Sequence, residues 1–181
     1  MINNFYDIIF IAGAPGTGKS SVAKSLQEKL NCPCFEFGWI PEFRNKGIET
    51  ISYEEDEAIA FENLSLVIKN YIKHGFKNII ITDLEDKRIK NLHTVFQEEN
   101  YILFTLTISD NEILKSRVLN ETRSSGYRDF ESAIKINNEI INRSLLPSEI
   151  RIDSTNQSLE DVVKIIITKL LSPTTVNIHI T

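Results

Sequence analysis

Short runs of consecutive apolar residues alternate along this chain with longer stretches in which apolar positions recur every three or four residues. The first pattern suits a strand covered on both faces, and the second suits an amphipathic helix. The strands expected on this basis are Asp7 to Ala12, Cys34 to Gly38, Asn78 to Asp83, Tyr101 to Ile108 and Glu149 to Asp153. Ile79-Ile80-Ile81 and Ile102-Leu103-Phe104 are unbroken apolar triplets, as strands buried between two helical layers require. Strands separated by helical patterns in this way predict β-α-β units, a mostly parallel sheet and an α/β fold.

The helices are announced by their starts. Ser52-x-x-Glu55, Ser109-x-x-Glu112 and Ser158-x-x-Asp161 each have the form of a capping box, in which a hydroxyl and an acid three residues on satisfy free N–H groups. Behind them apolar residues keep helical spacing: Val22, Leu26 and Leu30 in a first helix, and Phe61, Leu64, Ile68 and Tyr71 in one expected from Glu54 to Lys73. No repeat or linker divides residues 1–171, which are expected to form one domain. Residues 172–181, with Val176, Ile178 and Ile180 in alternation after a Ser-Pro break, form either a tail or an added strand.

Composition narrows the picture. At 181 residues and 41% hydrophobic, the chain can bury a core without disulfides or a structural metal. A formal net charge of -5 argues against a surface that follows a nucleic-acid backbone. The early apolar run, Ile8 to Ala12, is far shorter than the roughly 20 residues of a membrane span and lacks the basic flank of a signal peptide, so no membrane association and a cytoplasmic location are expected. Cys32 and Cys34 flank Pro33 at a spacing that fits neither a zinc knuckle nor a redox pair, and they are expected as buried thiols.

One motif carries specific chemistry. Gly13-Ala14-Pro15-Gly16-Thr17-Gly18-Lys19-Ser20 follows the first strand and opens the first helix, which is the phosphate-loop pattern in its required context. Its glycines let backbone N–H groups turn onto phosphate oxygens, and the positive end of the helix faces the same anion. Lys19 is placed to reach the β- and γ-phosphates and Ser20 to hold Mg²⁺, with Ser21 completing the nucleotide contacts. The ligand is thus a nucleoside triphosphate, ATP or GTP, with Mg²⁺. A second metal-holding carboxylate is expected at the end of a neighbouring strand, and Asp83 closes such a run, with Glu85 and Asp86 as substitutes. Downstream, Arg117, Arg123 and Arg128 surround Ser124-Ser125-Gly126 in the form of a lid over residues 117–130, where arginines would stabilise the transferred phosphoryl group.

This order of parts resembles the small P-loop kinases of the nucleoside monophosphate kinase and shikimate kinase superfamily, and within it the chloramphenicol phosphotransferase-like branch. The matching pieces are Gly13 to Ser20, Phe37-Gly38 ending strand two, Asp83 ending strand three, Arg117 to Arg128, and Ile152-Asp153-Ser154-Thr155 closing strand five. The resemblance implies a three-layer fold with a five-stranded parallel sheet in the order 2-3-1-4-5 and helices on both faces. It also implies an ATP site under the lid, an acceptor site over strands two and three, and a nucleotide base close to Ser154 to Gln157.

The acceptor side departs from the family pattern. Members that phosphorylate a hydroxyl usually place an Asp just after strand two, whereas residues 35–44 here contain none. Glu36, Glu42 and Asp83 are the open alternatives for a general base. Trp39, with Phe37 and Phe43, would wall an acceptor, and Arg44 with Arg88 would grip an anionic one. The expected activity is transfer of the γ-phosphoryl group of ATP to an unidentified small molecule, and the competing one is a nucleotide-binding or ATPase module. A guanine-specific GTPase is disfavoured because Thr107-Ile108-Ser109-Asp110 replaces the N-K-x-D base-reading motif, and an AAA-type motor because the chain is short for an added helical domain.

Overall fold

The computed structural model describes residues 6–40, 51–122 and 125–172. Five strands, β1 (Ile8–Gly13), β2 (Cys34–Glu36), β3 (Ile79–Thr82), β4 (Tyr101–Thr107) and β5 (Glu149–Asp153), form one sheet in the order β2-β3-β1-β4-β5. Every pairing is parallel. The fold is therefore the expected α/β sheet in the expected order.

Alternation along the central strand divides the core. Ile8, Phe10 and Ala12 pack on one face against α2 (Tyr53–Lys73), α3 (Asp86–Ile89) and α4 (Leu92–Val95), with Phe61, Leu64, Ile68, Ile89 and Leu92 among their neighbours. Ile9 and Ile11 pack on the other face against Val22 and Leu26 of α1 (Lys19–Leu30) and Val163 and Ile166 of α7 (Leu159–Leu171). A third apolar cluster joins α5 (Asn111–Leu119) and α6 (Phe130–Asn142) beyond the end of β4, around Ile108, Leu114, Val118 and Ala133. Three layers follow from a sheet whose residues point alternately to two apolar faces.

Several boundaries differ from the sequence pattern for local reasons. β2 stops at Glu36 because Phe37–Trp39 turn into a short 3₁₀ helix, closed by the Ile40 N–H donating to the Phe37 carbonyl at 3.1 Å. Strand three is bounded by Asn78 (φ 54°) and Asp83 (φ 68°), both left-handed, so neither continues the ladder. Ser52 accepts from the Glu55 N–H and Ser158 forms a full capping box with Asp161, as expected. The cap of α5 is instead Asp110, whose carboxylate accepts from the N–H groups of Glu112 and Ile113, so the box written on Ser109 is displaced by one residue. Cys32 and Cys34 are half-buried against the α1 side of the core, and burial pushes both thiols up to about 11.

Candidate active site

The sheet reverses its direction of growth at β1, which lies between β3 and β4. In open parallel sheets the crevice at the carboxyl ends of the strands at such a point receives the ligand, and the loop from Gly13 to Ser20 leaves β1 there. Gly13 has φ 137°, and a β-carbon on it would stand 2.4 Å from the Leu106 carbonyl oxygen, so both backbone conformation and the neighbouring strand demand glycine. Ala14 is buried beneath the loop, where its carbonyl accepts from the Thr17 hydroxyl at 2.9 Å and from Lys19 Nζ at 3.3 Å. Pro15 and Gly16 form the outer turn, and Gly18, at φ 99°, caps α1. The helix start supplies N–H groups without intrahelical partners and a partial positive charge to the space in front of the loop.

Two carboxylates approach that space from the left half of the sheet. Glu36, the last residue of β2, accepts from the Ser20 hydroxyl at 3.4 Å. Asp83, the first residue after β3, lines the same cavity as Ser20 and Lys19. Although Asp83 retains solvent contact, the protein crowded around its carboxyl raises its pKa above the ordinary carboxylate value, and the Lys19 ammonium pulls it the other way. A hydroxyl with one or two carboxylates is a hard oxygen donor set that fits Mg²⁺ completed by phosphate oxygens and water. No group of three His, Cys, Asp or Glu suited to a metal occurs among the described residues, so the donors present match a shared site and not an all-protein cage.

The right half of the sheet contributes Arg117. From α5 its guanidinium donates to the carbonyls of Ser154 and Thr155, both at 3.0 Å, while the Ser154 hydroxyl donates to the Thr17 carbonyl at 3.3 Å. The segment after β5 is thereby tied both to α5 and to the phosphate loop. Arg128 is exposed and donates to the carbonyls of Ser125 (2.6 Å) and Tyr127 (2.9 Å) within its own turn, lining neither cavity at the loop. Arg123 lies outside the described residues, as do Glu42 and Arg44.

Two cavities open at the phosphate loop. The larger, 720 Å³, is lined by Gly16, Gly18, Ser20, Ser21, Glu36 and Arg117. The smaller, 320 Å³, is walled by Leu84, Glu85, Asp86 and Ile89 after β3 and by Ile136, Glu139 and Ile140 of α6. Pro15, Lys19, Asp83 and Tyr127 line both. Of the residues expected on the acceptor side, Glu36 engages Ser20, but Trp39 and Arg88 line neither cavity. The Arg88 guanidinium lies over the Phe61 ring, 5.6 Å from its centroid, and Phe37 is buried in the core near the same ring.

Tyr127, Asn137 and Glu139 escape the sequence reading. Asn137 is fully buried on the stripe it shares with Ala133 and Ile140, and its amide exchanges hydrogen bonds with the Ile108 backbone, at 3.1 Å from its N–H and 2.7 Å to its carbonyl. It thus holds α6 at the end of β4. A polar residue on an otherwise apolar stripe was the available signal. Arg143, the residue after α6, is paired bidentately with Glu149 at 2.6 and 2.9 Å. It also stands 3.4 Å from Asp86, a contact without hydrogen-bond geometry.

Comparison with known proteins agrees with this geometry. The family model described as AAA domain matches residues 9–139. Cytidylate kinase from Buchnera aphidicola subsp. Baizongia pistaciae (strain Bp) is 31% identical over 100 residues, covering 49% of this chain and 42% of that protein, so the match spans less than half of the relative's length. Among solved structures, a gluconokinase from Sinorhizobium meliloti 1021 superposes with a TM-score of 0.65 at 14% identity, covering 93% of both chains. A thymidylate kinase from Candida albicans superposes with a TM-score of 0.59 at 15% identity, covering 91% of both. These two likenesses show a shared fold.

Proposed function

Because the chain belongs to the AAA-domain family of P-loop proteins, we propose that it is an ATP-dependent phosphotransferase that moves the γ-phosphoryl group, with Mg²⁺, to a hydroxyl of a small molecule. The observation that carries this reading is the meeting of two cavities at Lys19, Asp83 and Tyr127. One has the size and lining for a nucleotide and the other for a smaller molecule, and a group at their junction lies within reach of both. Within the superfamily we favour the chloramphenicol phosphotransferase-like branch, on the order of parts already described.

In this scheme the loop amides and Lys19 hold the β- and γ-phosphates, with Ser20 and Asp83 as the metal-holding residues and Glu36 beside Ser20. Bound Mg²⁺ would neutralise charge that develops on the phosphates. The acceptor oxygen forms a bond to the γ-phosphorus as the bond to the β–γ bridging oxygen breaks, and Asp83, the carboxylate that lines both cavities, takes the acceptor proton. Arg117 orders the segment that borders the base, and Arg123 and Arg128 serve the lid over the phosphates, Arg128 on giving up its bonds to the Ser125 and Tyr127 carbonyls. The kinase relative and the kinase fold support transfer over a binding role. The engagement of Glu36 with Ser20 supports the second reading, a nucleotide-binding or ATPase module, since it turns that carboxylate toward the metal side and away from an acceptor.

Incubation with labelled ATP, Mg²⁺ and a panel of nucleosides, nucleotides, sugars and antibiotics, following transfer against hydrolysis, separates the two. Transfer to one acceptor, lost by about a hundredfold or more in Lys19→Ala, supports the phosphotransferase. Hydrolysis alone across the panel supports the module, and full activity of Lys19→Ala removes the role of the loop.

A further inference from the structure

The smaller cavity carries information about the acceptor's charge, an inference that rests on the phosphotransferase reading for its place beside the nucleotide. Lys19 is the single cation among its described lining residues, and the phosphates would engage it. Four carboxylates face it: Asp83, Glu85, Asp86 and Glu139. Two of these are matched at its rim. Glu85 pairs with Lys87 at 3.0 Å, and Asp86 with Lys90 at 2.8 Å and with Arg143 at 3.4 Å. Asp83 faces Lys19. Glu139 projects from α6 between the apolar positions Ile136 and Ile140, and no ion pair or side-chain hydrogen bond engages it among the described residues.

From this arrangement we infer that the cavity takes a cationic acceptor: a small molecule with an apolar face against Leu84, Ile89, Ile136 and Ile140 and an amine held by Glu139. An anionic acceptor such as a nucleoside monophosphate or sugar acid would meet Glu139, Asp83 and the triphosphate together, with like charges at close range and, among the described lining residues, only Lys19, which the phosphates share, to offset them. Arg88, the described arginine expected to grip such an anion, is stacked on Phe61 outside the cavity. The volume of 320 Å³ suits a molecule of one ring. An amine that reaches Glu139 replaces its hydration with a charge-assisted hydrogen bond, the strongest polar contact the wall offers.

The test uses the full chain with Mg²⁺ and a non-hydrolysable ATP analogue, so that the larger cavity is filled. Cyclohexylamine, cyclohexanol and cyclohexanecarboxylate are titrated by ligand-observed NMR against the parent protein and Glu139→Gln, an exposed position where the change does not threaten folding. The amine is expected to bind tightest and the carboxylate weakest. Glu139→Gln is expected to weaken the amine about five- to tenfold while leaving the alcohol within about twofold. A carboxylate that binds as tightly as the amine, no saturable amine binding, or an amine affinity unmoved by Glu139→Gln overturns the inference. Phosphoryl transfer from ATP to 4-aminocyclohexanol is measured beside it. Amine preference with no transfer to this amine or to any member of the acceptor panel keeps the selectivity of the cavity and removes the kinase, whereas transfer without amine preference does the reverse.

Discussion

The Asp83 carboxylate lies 3.3 Å from the point where a β-carbon on Gly38 would stand. The chain leaving β2 and the chain leaving β3 therefore come close enough that a side chain on Gly38 would press on Asp83. Gly38→Ala should displace Asp83 by a few tenths of an ångström. In the proposed scheme this lowers kcat about three- to tenfold and raises the Mg²⁺ concentration needed for half-maximal rate, since small misplacements at a reacting centre are costly. Kinetics across a Mg²⁺ titration check this, and an unchanged metal dependence would contradict the placement.

Asp83 also sets a pH dependence. Burial raises its pKa in the folded chain, so folding is favoured by its protonated form, and that contribution is lost as pH rises from the ordinary carboxylate value through the folded one. Asp83→Asn should therefore melt higher than the parent at pH 7, with the gap closing below about pH 4. Its left-handed backbone, at φ 68°, accepts Asn. The same variant should lose activity by more than about a hundredfold. Thermal melts at several pH values, paired with rates, test both halves.

Arg117 binds two carbonyls of the segment after β5, and through Ser154 that segment touches the phosphate loop. Arg117→Ala should raise the Kd for an ATP analogue about tenfold, because both charge-assisted hydrogen bonds are lost. Calorimetry would show it. Equal binding by parent and variant would leave Arg117 with a purely structural task.

Asn137→Leu strands the buried N–H and C=O of Ile108. A stability loss of about 3 kcal/mol is expected in denaturant unfolding. The acceptor KM should rise as well, since α6 carries Ile136, Glu139 and Ile140.

Burial pushes the Glu149 carboxyl upward, but hydrogen bonds from Arg143 and the Leu146 N–H prevail and hold it below its ordinary value. Its contribution to stability is present above the unfolded pKa and lost as pH falls through the folded one. Glu149→Gln should cost about 3 kcal/mol at pH 7 and flatten the acid limb of the stability profile. Urea unfolding at pH 7 and pH 3 measures the difference.

Much of the frame was legible because its signals are local. β5 has the expected bounds, and the caps at Ser52 and Ser158 form as written, each within four consecutive residues. Strand two was overextended because Phe37-Gly38-Trp39 is apolar enough for a strand, yet the approach of Gly38 to Asp83 is made across the sheet. Arg88 was read as a substrate grip because its charge is visible in the sequence and its stacking partner, Phe61, lies on a different helix.

From its sequence alone, this chain was bound to place a phosphate loop between a buried strand and a helix, since glycine spacing, Lys19 and Ser20 are all set within eight consecutive residues. The tertiary structure decided which distant groups face that loop. It brought Glu36 to Ser20, set Asp83 in the cavity that Ser20 lines, gave Arg117 to the segment after β5, and placed Glu139 and Asp86 in the lining of one cavity. Those meetings depend on strand order and helix packing, which join residues 16 or more positions apart, and no local pattern records them.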